Sequence, residues 1–220
     1  MTYTRHTALA GRSPSPQLPT TIWLPRPDDY SVAQTGQVLP EWALDKVRSQ
    51  FTRGTTGEAA PLVRLEVTEA TAGPDARIRC TTTTAPDAIS EQHGNYATVL
   101  LAELHPNVLP AAALRISHDL EERGTVDDGW PAFFHRAHRL LRADGLLLLA
   151  TRQRRDHDEL ADPLGLLIAT ARTAGFRYLQ HIVVVHARPA DDHLVPTPPA
   201  PDTPELIHSD LVVLSCVAPQ

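Results

Sequence analysis

Residues 140–151, LLRADGLLLLAT, contain the clearest sequence evidence for the fold. Its leucine run, residues 146–149, is apolar without alternation, which is typical of a strand buried on both faces of a sheet. The small and turn-forming residues 143–145 precede that run. Upstream, a set of apolar residues shares one helical face: Trp130, Phe133, Phe134, Ala137, Leu140 and Leu141. A helix followed directly by a buried strand predicts an α/β fold.

The same order of elements repeats downstream. Residues 162–174 predict a second helix, which Gly175 ends at its C-terminal cap, and residues 176–187 predict a strand. A proline-rich connection, residues 189–204, then leads to a last strand at residues 209–217. Because a parallel pair needs a crossover that is usually helical, and prolines prevent a helix here, the last two long strands are expected to pair antiparallel.

The N-terminal half contains weaker patterns. Residues 1–21 have no apolar period and predict a disordered tail, so the single predicted domain covers residues 22–220. Residues 40–51 space their apolar side chains as a helix does, with proline at the first position. Three strands are predicted after it, at residues 62–67, 76–80 and 97–104, of which the last is the most buried.

Composition limits the class of protein. The chain has 220 residues, 42% of them hydrophobic, and a formal charge of −6, so it is long enough to bury a core without disulfides. Its longest apolar run falls far short of the roughly 20 residues of a membrane-spanning helix. Net acidity argues against coating of nucleic acid by bulk charge, so such contact would need a local patch. Cys80 and Cys216 lie in apolar, strand-like contexts without a secretory leader, which predicts reduced cysteines in a cytoplasmic protein.

The predicted order of elements resembles that of class I S-adenosylmethionine-dependent methyltransferases, which have a Rossmann-like, mostly parallel sheet with a C-terminal antiparallel hairpin. Residues 138–151 look like the L-R-P-G-G element and apolar strand of the DNA methyltransferases that modify N4 of cytosine or N6 of adenine. Further segments are similar to actinobacterial DNA modification methylases: 154–155, 160–165, 171–176, 178–181, 192–195 and 208–214. The resemblance covers residues 129–217, and residues 34–41 and 51–54 resemble the element that enters the cofactor site.

The resemblance implies S-adenosylmethionine as the cofactor, held over a glycine-rich turn after the first strand. Only a backbone without side chains approaches the cofactor closely enough to donate its N–H groups. Here the predicted turn at residues 67–74, VTEATAGP, contains a single glycine. The cofactor-binding candidates that the resemblance implies are Thr52, Glu66, Thr68 and Glu69, with Glu66 or Glu69 on the ribose hydroxyls.

The resemblance also implies a base-binding motif after the fourth strand, in which Asp, Asn or Ser precedes two prolines and an aromatic residue. The polar group accepts the hydrogens of the exocyclic amine, and the ring stacks on the flipped base. This chain has LHPNV at residues 104–108, which keeps one proline. The catalytic candidates are therefore His105, Pro106 and Asn107, with Asn107 offering a carbonyl oxygen and His105 a stacking ring.

Three arginines follow the leucine-rich strand at its carboxyl end, where ligands bind in open α/β sheets. Arg152, Arg154 and Arg155 are candidates for contact with nucleic-acid phosphates. The alternative is a solvated turn in which they pair with the carboxylates of residues 156–159. His135 and His138 lack the further ligands that a zinc site requires, so no metal is predicted.

Two functions remain open from these observations. Paired loss of the glycine-rich turn and of the base-binding motif favours a degenerate, non-catalytic methyltransferase-like protein that acts as a binding or assembly module. The alternative is an active methyltransferase with a rearranged site, acting on nucleic acid or another substrate. A structural element of a larger complex is a third reading. Fold analogy suggests a homodimer or pairing with an active relative. The short apolar runs predict no membrane partner.

Overall fold

The computed structural model describes residues 20–26, 29, 37–52, 60, 62–70, 78–82, 97–105, 129–156, 159–196 and 208–217. The helices are α1 (Glu41–Phe51), α2 (Gly129–Leu140) and α3 (Leu164–Thr173). The strands are β1 (Thr20–Trp23), β2 (Leu62–Ala70), β3 (Ile78–Thr82), β4 (Ala97–Leu104), β5 (Leu141–Thr151), β6 (Arg154–Asp156), β7 (Glu159–Ala161), β8 (Phe176–Val185), β9 (Ala187–Ala190), β10 (His193–Pro196) and β11 (His208–Cys216).

The centre of the fold is a seven-stranded sheet with the order β1-β8-β11-β5-β4-β2-β3. The strands β1, β2, β4, β5 and β8 run in one direction, and β3 and β11 run in the opposite one. The α/β class and the mostly parallel, Rossmann-like sheet are therefore confirmed. The C-terminal antiparallel pair is confirmed as well, because β11 lies between β5 and β8 and is antiparallel to both.

Helices cover the two faces of the sheet. On one side, here called the α2/α3 face, Phe133, Phe134 and Leu167 join a cluster with the inward side chains of β2, β4 and β5. On the other side, the α1 face, Leu44 and Val47 pack on β4, β5, β8 and β11. The sheet is thus buried between two layers of helices, which explains why its central strands are almost continuously apolar.

The predicted turn before the leucine run becomes an irregular start of β5. Leu141 is opposite Ala97 and Leu146 is opposite Val99, so residues 142–145 are set against one residue of β4. Asp144 has a left-handed backbone with φ 65°. A Cβ placed on Gly145 would lie 2.9 Å from the Arg142 carbonyl oxygen and 3.2 Å from that of Ala97. The chain therefore needs a residue without a side chain at this position.

The second helix of the repeat ends as predicted. Gly175 follows α3 with φ 92°, the left-handed conformation that glycine adopts most readily after a helix. The His138 ring lies against this glycine, at 3.0 Å from an added Cβ, and its Nε2 is 3.3 Å from the Val217 carbonyl oxygen. These contacts join α2 to the turn between α3 and β8.

Some elements and boundaries of the structure differ from those predicted from the sequence. Thr20 and Thr21, predicted in the disordered tail, belong to β1, because their strand pairs in parallel with β8; residues 1–19 lie outside the described residues. The second predicted strand is shifted to Ile78–Thr82. The proline-rich connection contains the hairpin β9–β10, and a second hairpin, β6–β7, follows β5. Hairpins whose strands have only three or four residues each show too little periodicity to be predicted from the sequence.

Candidate functional site at the carboxyl edge of the sheet

The carboxyl ends of β1, β2, β4, β5 and β8 meet at one edge of the sheet, together with the amino ends of β3 and β11. We call it the carboxyl edge. Ligands of open α/β sheets bind outside this edge. Residues 37–40, which precede α1 and are here called the entry segment, lie across it. Val38 and Leu39 in this segment are 1% and 0% exposed.

Side chains from β4, from β11 and from the residue after β5 hold the entry segment. The Glu103 carboxylate accepts a hydrogen bond from the Leu39 amide at 3.2 Å. Arg152 donates from its guanidinium to the carbonyl oxygens of Gln37 and Val38, the latter at 3.3 Å. Ser209 donates to the Val38 carbonyl oxygen at 2.7 Å. We call Glu103, Arg152 and Ser209 the clamp, because they fix the backbone of the entry segment over β4, β5 and β11.

The Glu103 carboxylate is itself held by an ion pair. Its second oxygen lies 2.5 Å from Nη2 of Arg64, and the Glu103 side chain is only 12% exposed. Arg64 lies on β2, so this pair connects the two neighbouring parallel strands β2 and β4. Both carboxylate oxygens thus have partners, one on the entry segment and one on β2, which fixes the position of the Glu103 side chain.

A buried histidine hydrogen-bonds to Ser209 of the clamp. His186, 8% exposed, has its Nε2 2.7 Å from Oγ of Ser209. Since the single hydroxyl proton of Ser209 goes to Val38, we infer that His186 is the donor in this bond and carries its proton on Nε2. Burial, together with the positive charges of Arg152 and His208, lowers the pKa of His186 to about 4. His186 is therefore neutral at physiological pH.

The low pKa of His186 predicts a loss of stability in mild acid. Its pKa in the unfolded chain is about 6.5, so between that value and about 4 the unfolded state binds the extra proton. The free energy of unfolding is therefore unaffected by His186 above about pH 6.5, and it decreases as the pH falls from there toward 4. We expect the free energy of unfolding to drop by about 2 kcal/mol through His186 between about pH 7 and pH 5.

Urea denaturation of His186→Gln at the two pH values measures this contribution. The glutamine amide can still donate to Ser209 but does not titrate, so the variant should lose about 2 kcal/mol less than the parent over this range. His193→Gln is the matched control, because the His193 side chain is 62% exposed. Equal pH dependence in His186→Gln and the parent chain would contradict the prediction.

The arginines predicted to contact nucleic acid lie at the carboxyl edge, but Arg152 does not face solvent. Arg152 is 3% exposed, and its guanidinium is used inside the protein, on the entry segment. An arginine that contacts phosphate must be reachable, so the structure corrects the expectation for this residue: it is a clamp residue. Arg154 and Arg155 lie on β6, and their proposed contact with phosphate remains a prediction.

The cofactor candidates lie after α1 and on β2, and their proposed contacts with S-adenosylmethionine remain predictions. Thr52, 4% exposed, donates from Oγ1 to the Arg48 carbonyl oxygen at 2.6 Å and thereby ends α1. Glu66, Thr68 and Glu69 are all part of β2. The sequence predicted a turn from residue 67, but the strand continues through Ala70 because it pairs antiparallel with β3, with an irregularity between Val67 and Glu69. The predicted turn position is therefore wrong by at least three residues.

The catalytic candidates lie after β4. His105 follows the last residue of β4 and is half-buried. Pro106 and Asn107 lie outside the described residues, so their proposed roles stay predictions. His105 is at the carboxyl edge, as expected for a residue that directly follows a buried parallel strand.

The described residues do not fit the cradle that S-adenosylmethionine needs in this fold. Such a cradle consists of a glycine turn that follows the first strand of the methyltransferase fold, here β2, and opens a helix. The N-terminal N–H groups of that helix face the ligand. Here β2 is followed by the antiparallel strand β3, and only residues 71–77 connect them. A crossover with a helix takes a dozen residues or more, so the connection has no room for one. No step of methyl transfer is derived for this site.

Sequence reasoning missed the clamp and a second polar cluster on β11. Glu103, Ser209 and Asp210 each interrupt an apolar strand close to the carboxyl edge, and this was the available signal. Asp210 lies on the α2/α3 face, 2% exposed, with Oδ1 2.8 Å from Nε2 of His181. A buried polar residue at the carboxyl end of a sheet is a stronger indication of a site than an exposed arginine after it.

Two further findings concern metals and membranes. Over the described ranges, no group of three or more His, Cys, Asp or Glu side chains is arranged to hold a metal ion. Within the same part of the chain, no helix combines the length and the apolar character that crossing a bilayer requires.

Comparisons with known proteins give likeness of shape alone. No protein-family model and no curated protein matches the sequence. The antibiotic-resistance methyltransferase Kmr shares 16% identity over 60% of this chain and 59% of its own, with a TM-score of 0.34. A candidate DNA modification methylase from Thermus thermophilus shares 16% identity over 57% of this chain and 47% of its own, with a TM-score of 0.32.

The Thermus protein in complex with S-adenosyl-L-methionine matches similarly, with 14% identity, 57% of this chain, 48% of its own and a TM-score of 0.33. The matched regions thus span about half of these solved proteins. The TM-scores are below 0.5, so the alignments carry no inference about activity. The fold assignment rests on the strand order and strand directions of the sheet.

Proposed function

We propose that this chain is a degenerate methyltransferase-like protein that does not transfer methyl groups and acts as a binding or assembly module. The observation that supports this best is the hairpin of β2 and β3. In a dinucleotide-type or methyltransferase-type sheet, the residues after the first strand form the turn and helix N-terminus that hold the cofactor. In this chain, that place is taken by a strand that returns along the edge of the sheet.

The clamp supports the proposal independently. The crevice outside β4, β5 and β11 is where a ligand of this fold would enter, and the protein's own entry segment lies there. Its polar backbone atoms are bonded to buried side chains, so removing the segment would leave Arg152 and Glu103 without these partners. The segment thus acts as a fixed part of the core instead of a mobile cover.

Partners and location follow as parts of the proposal. A fold that is retained without catalysis is useful for its surface, so we propose a homodimer or pairing with an active relative. Contact with nucleic acid would use a local patch, with Arg154 and Arg155 as the candidates. We place the protein in the cytoplasm, without a membrane partner.

Isothermal titration of the full chain with S-adenosylmethionine, and separately with S-adenosylhomocysteine, tests the proposal. We expect no binding stronger than a dissociation constant of about 1 mM, because the cradle after β2 is missing. Circular dichroism of the same sample controls for folding. A dissociation constant in the low micromolar range for either compound would overturn the proposal.

Transfer of a labelled methyl group supplies a second readout. The folded chain is incubated with labelled S-adenosylmethionine and with DNA, RNA or protein substrates, and incorporation above that of heat-denatured protein is measured. We expect none. Incorporation into any of these substrates would instead support the alternative, an active methyltransferase with a rearranged site, in which His105 and Asn107 would be the first residues to replace.

A further inference from the structure

The strand β1 forms one edge of the seven-stranded sheet. It pairs in parallel with β8, and in the described part of the chain no strand pairs with its other edge. The sequence has proline at positions 19 and 25, on both sides of β1, and proline has no N–H to donate to a ladder. Between them, residues 20–24 contain no charged side chain, although native proteins often use charges to keep an edge strand from pairing. The outer edge of β1 is therefore a short template for one further strand.

One side of this edge is apolar and exposed. Ile182 and Val184 of β8 join the apolar cluster on the α1 face. Val183 lies between them, so Val183 and Ile22, which is opposite it on β1, point to the α2/α3 face. Ile22 is 65% exposed there, and Leu24, which directly follows the strand, is 42% exposed. A strand added to β1 would thus find apolar contacts on the α2/α3 face.

The other side of the edge carries a positive charge. Trp23 points to the α1 face and is 3% exposed, and Nζ of Lys46 in α1 lies 4.9 Å from the centroid of its ring. On the same helix, Arg48 forms ion pairs with Glu41 and Asp45. By contrast, no carboxylate of the described residues pairs with Lys46. The charge of Lys46 beside the edge strand is therefore not neutralised.

The ammonium group of Lys46 is within reach of an added strand. Adjacent strands of a sheet are about 4.8 Å apart, and the distance from Nζ of Lys46 to the Trp23 ring is similar. The flexible stem of a lysine lets the ammonium group move toward a partner. A carboxylate on the added strand beside Trp23 would be attracted to Lys46, and a second ammonium group at that position would be repelled.

We propose that β1 pairs with an extended peptide segment in which apolar residues alternate with Asp or Glu. Successive side chains of a strand point to opposite faces of a sheet. The alternation therefore places the apolar side chains beside Ile22 on the α2/α3 face and the carboxylates near Lys46 on the α1 face, while backbone hydrogen bonds join the segment to β1. The proposal rests on the proposed role as a binding module and gives that role a surface and a kind of partner.

A second copy of this chain fits the edge less well. Two β1 strands that pair antiparallel are related by a twofold axis, so each brings the same residues to the interface. On the α1 face these would be Thr21 and Trp23, which offer no carboxylate, together with a second Lys46. The two ammonium groups would repel each other, whereas an acidic segment neutralises the charge.

Isothermal titration of the full chain with synthetic peptides, blocked at both ends, tests the proposal. One peptide of about six residues, a usual strand length, alternates valine with glutamate, and its control alternates valine with lysine. The glutamate peptide should bind at least about tenfold more tightly than the lysine peptide, because attraction is exchanged for repulsion at Lys46. The affinity of the glutamate peptide should fall as the sodium chloride concentration is raised.

N-methylation of the glutamate peptide shows whether it binds as a strand. Alternate amides of a strand point to the same neighbour. Methylating one alternating set therefore removes the hydrogen bonds to β1, and methylating the other set leaves them in place. We expect one methylated peptide to lose binding and the other to retain most of it. Equal affinities of the two methylated peptides would contradict pairing with β1.

Variants locate the peptide on the protein. Ile22→Ser and Lys46→Gln should each weaken binding of the glutamate peptide about fivefold, and Lys46→Gln should also reduce its salt dependence. Leu194→Ser is the matched control for the first variant, because Leu194 is 50% exposed but lies on β10. Arg136→Gln is the control for the second, because Arg136 is an exposed cationic residue of α2. Neither control should change the affinity.

The proposal is overturned if neither peptide binds, if the glutamate and lysine peptides bind equally, or if Ile22→Ser and Lys46→Gln both bind as the parent chain does. Analytical ultracentrifugation checks the second copy: a dimer that Ile22→Ser separates would assign the edge to another copy of this chain and also overturn the proposal. If one variant fails to fold, the other variant and the methylated peptides decide. Titration with S-adenosylmethionine does not involve β1, so this proposal and the loss of methyl transfer can fail separately.

Discussion

Replacing Arg152 with methionine is expected to lower the free energy of unfolding by about 3 kcal/mol. The guanidinium of Arg152 donates to the carbonyl oxygens of Gln37 and Val38 in a region that is almost fully buried. Methionine keeps most of the side-chain volume but has no N–H donor. The loss therefore reports the hydrogen bonds of the clamp and not a cavity.

Urea denaturation at neutral pH measures the change, and hydrogen exchange shows where it acts. If Arg152→Met releases the entry segment, exchange of the Leu39 amide, which donates to Glu103, should speed up more in the variant than exchange of the β5 amides. Arg142→Met is the matched control, because Arg142 is an exposed arginine near the other end of β5, and its change should stay within about 0.5 kcal/mol. A loss below about 1 kcal/mol for Arg152→Met would show that the clamp contributes little.

The second large effect is expected for Gly145→Ala, which should cost about 3 kcal/mol. The added Cβ would be 2.9 Å from the Arg142 carbonyl oxygen and 3.2 Å from the Ala97 carbonyl oxygen. Both atoms belong to the backbone, and that of Ala97 is part of β4, so neither can rotate away as a side chain would. The strand β5 would have to shift against β4 in the centre of the sheet.

Gly165→Ala is the matched substitution for this test. A Cβ on Gly165 meets nothing within 4 Å, and the residue lies in α3, where alanine favours the helix over glycine by about 1 kcal/mol. The same chemical change should therefore destabilise at residue 145 and stabilise slightly at residue 165, as measured by thermal or urea unfolding. Two changes of the same sign would contradict the structural explanation.

The central part of the fold could be predicted because its sequence signals are local. The apolar face of α2, the leucine run of β5 and the glycine after α3 each depend on a spacing of a few residues. The antiparallel pairing of β8 with β11 followed from prolines that exclude a helix. By contrast, residues 67–70 continue β2 because of hydrogen bonds to β3, and a pairing of that kind is not visible in either strand alone.

The candidate site was harder to predict than the fold. Position in the sequence correctly indicated that Arg152 lies at the carboxyl edge, but only the structure shows that the entry segment, more than a hundred residues earlier, uses its guanidinium. In the sequence, Asp210 is simply part of an apolar strand, because its neighbours on β5 and β8 are far away along the chain. Sequence patterns identify which residues are buried, and they do not identify the partners of a buried polar group.

The position of β11 has a consequence for how the chain folds during synthesis. The sheet cannot form across its middle until this last strand is made, because β5 and β8 have no direct pairing and each bonds to β11. A nascent chain that has emerged only through β8 keeps two separate groups of strands with open edges, which are the parts of a folding protein most prone to aggregate. Folding of this protein is therefore expected to be completed only after translation has reached β11.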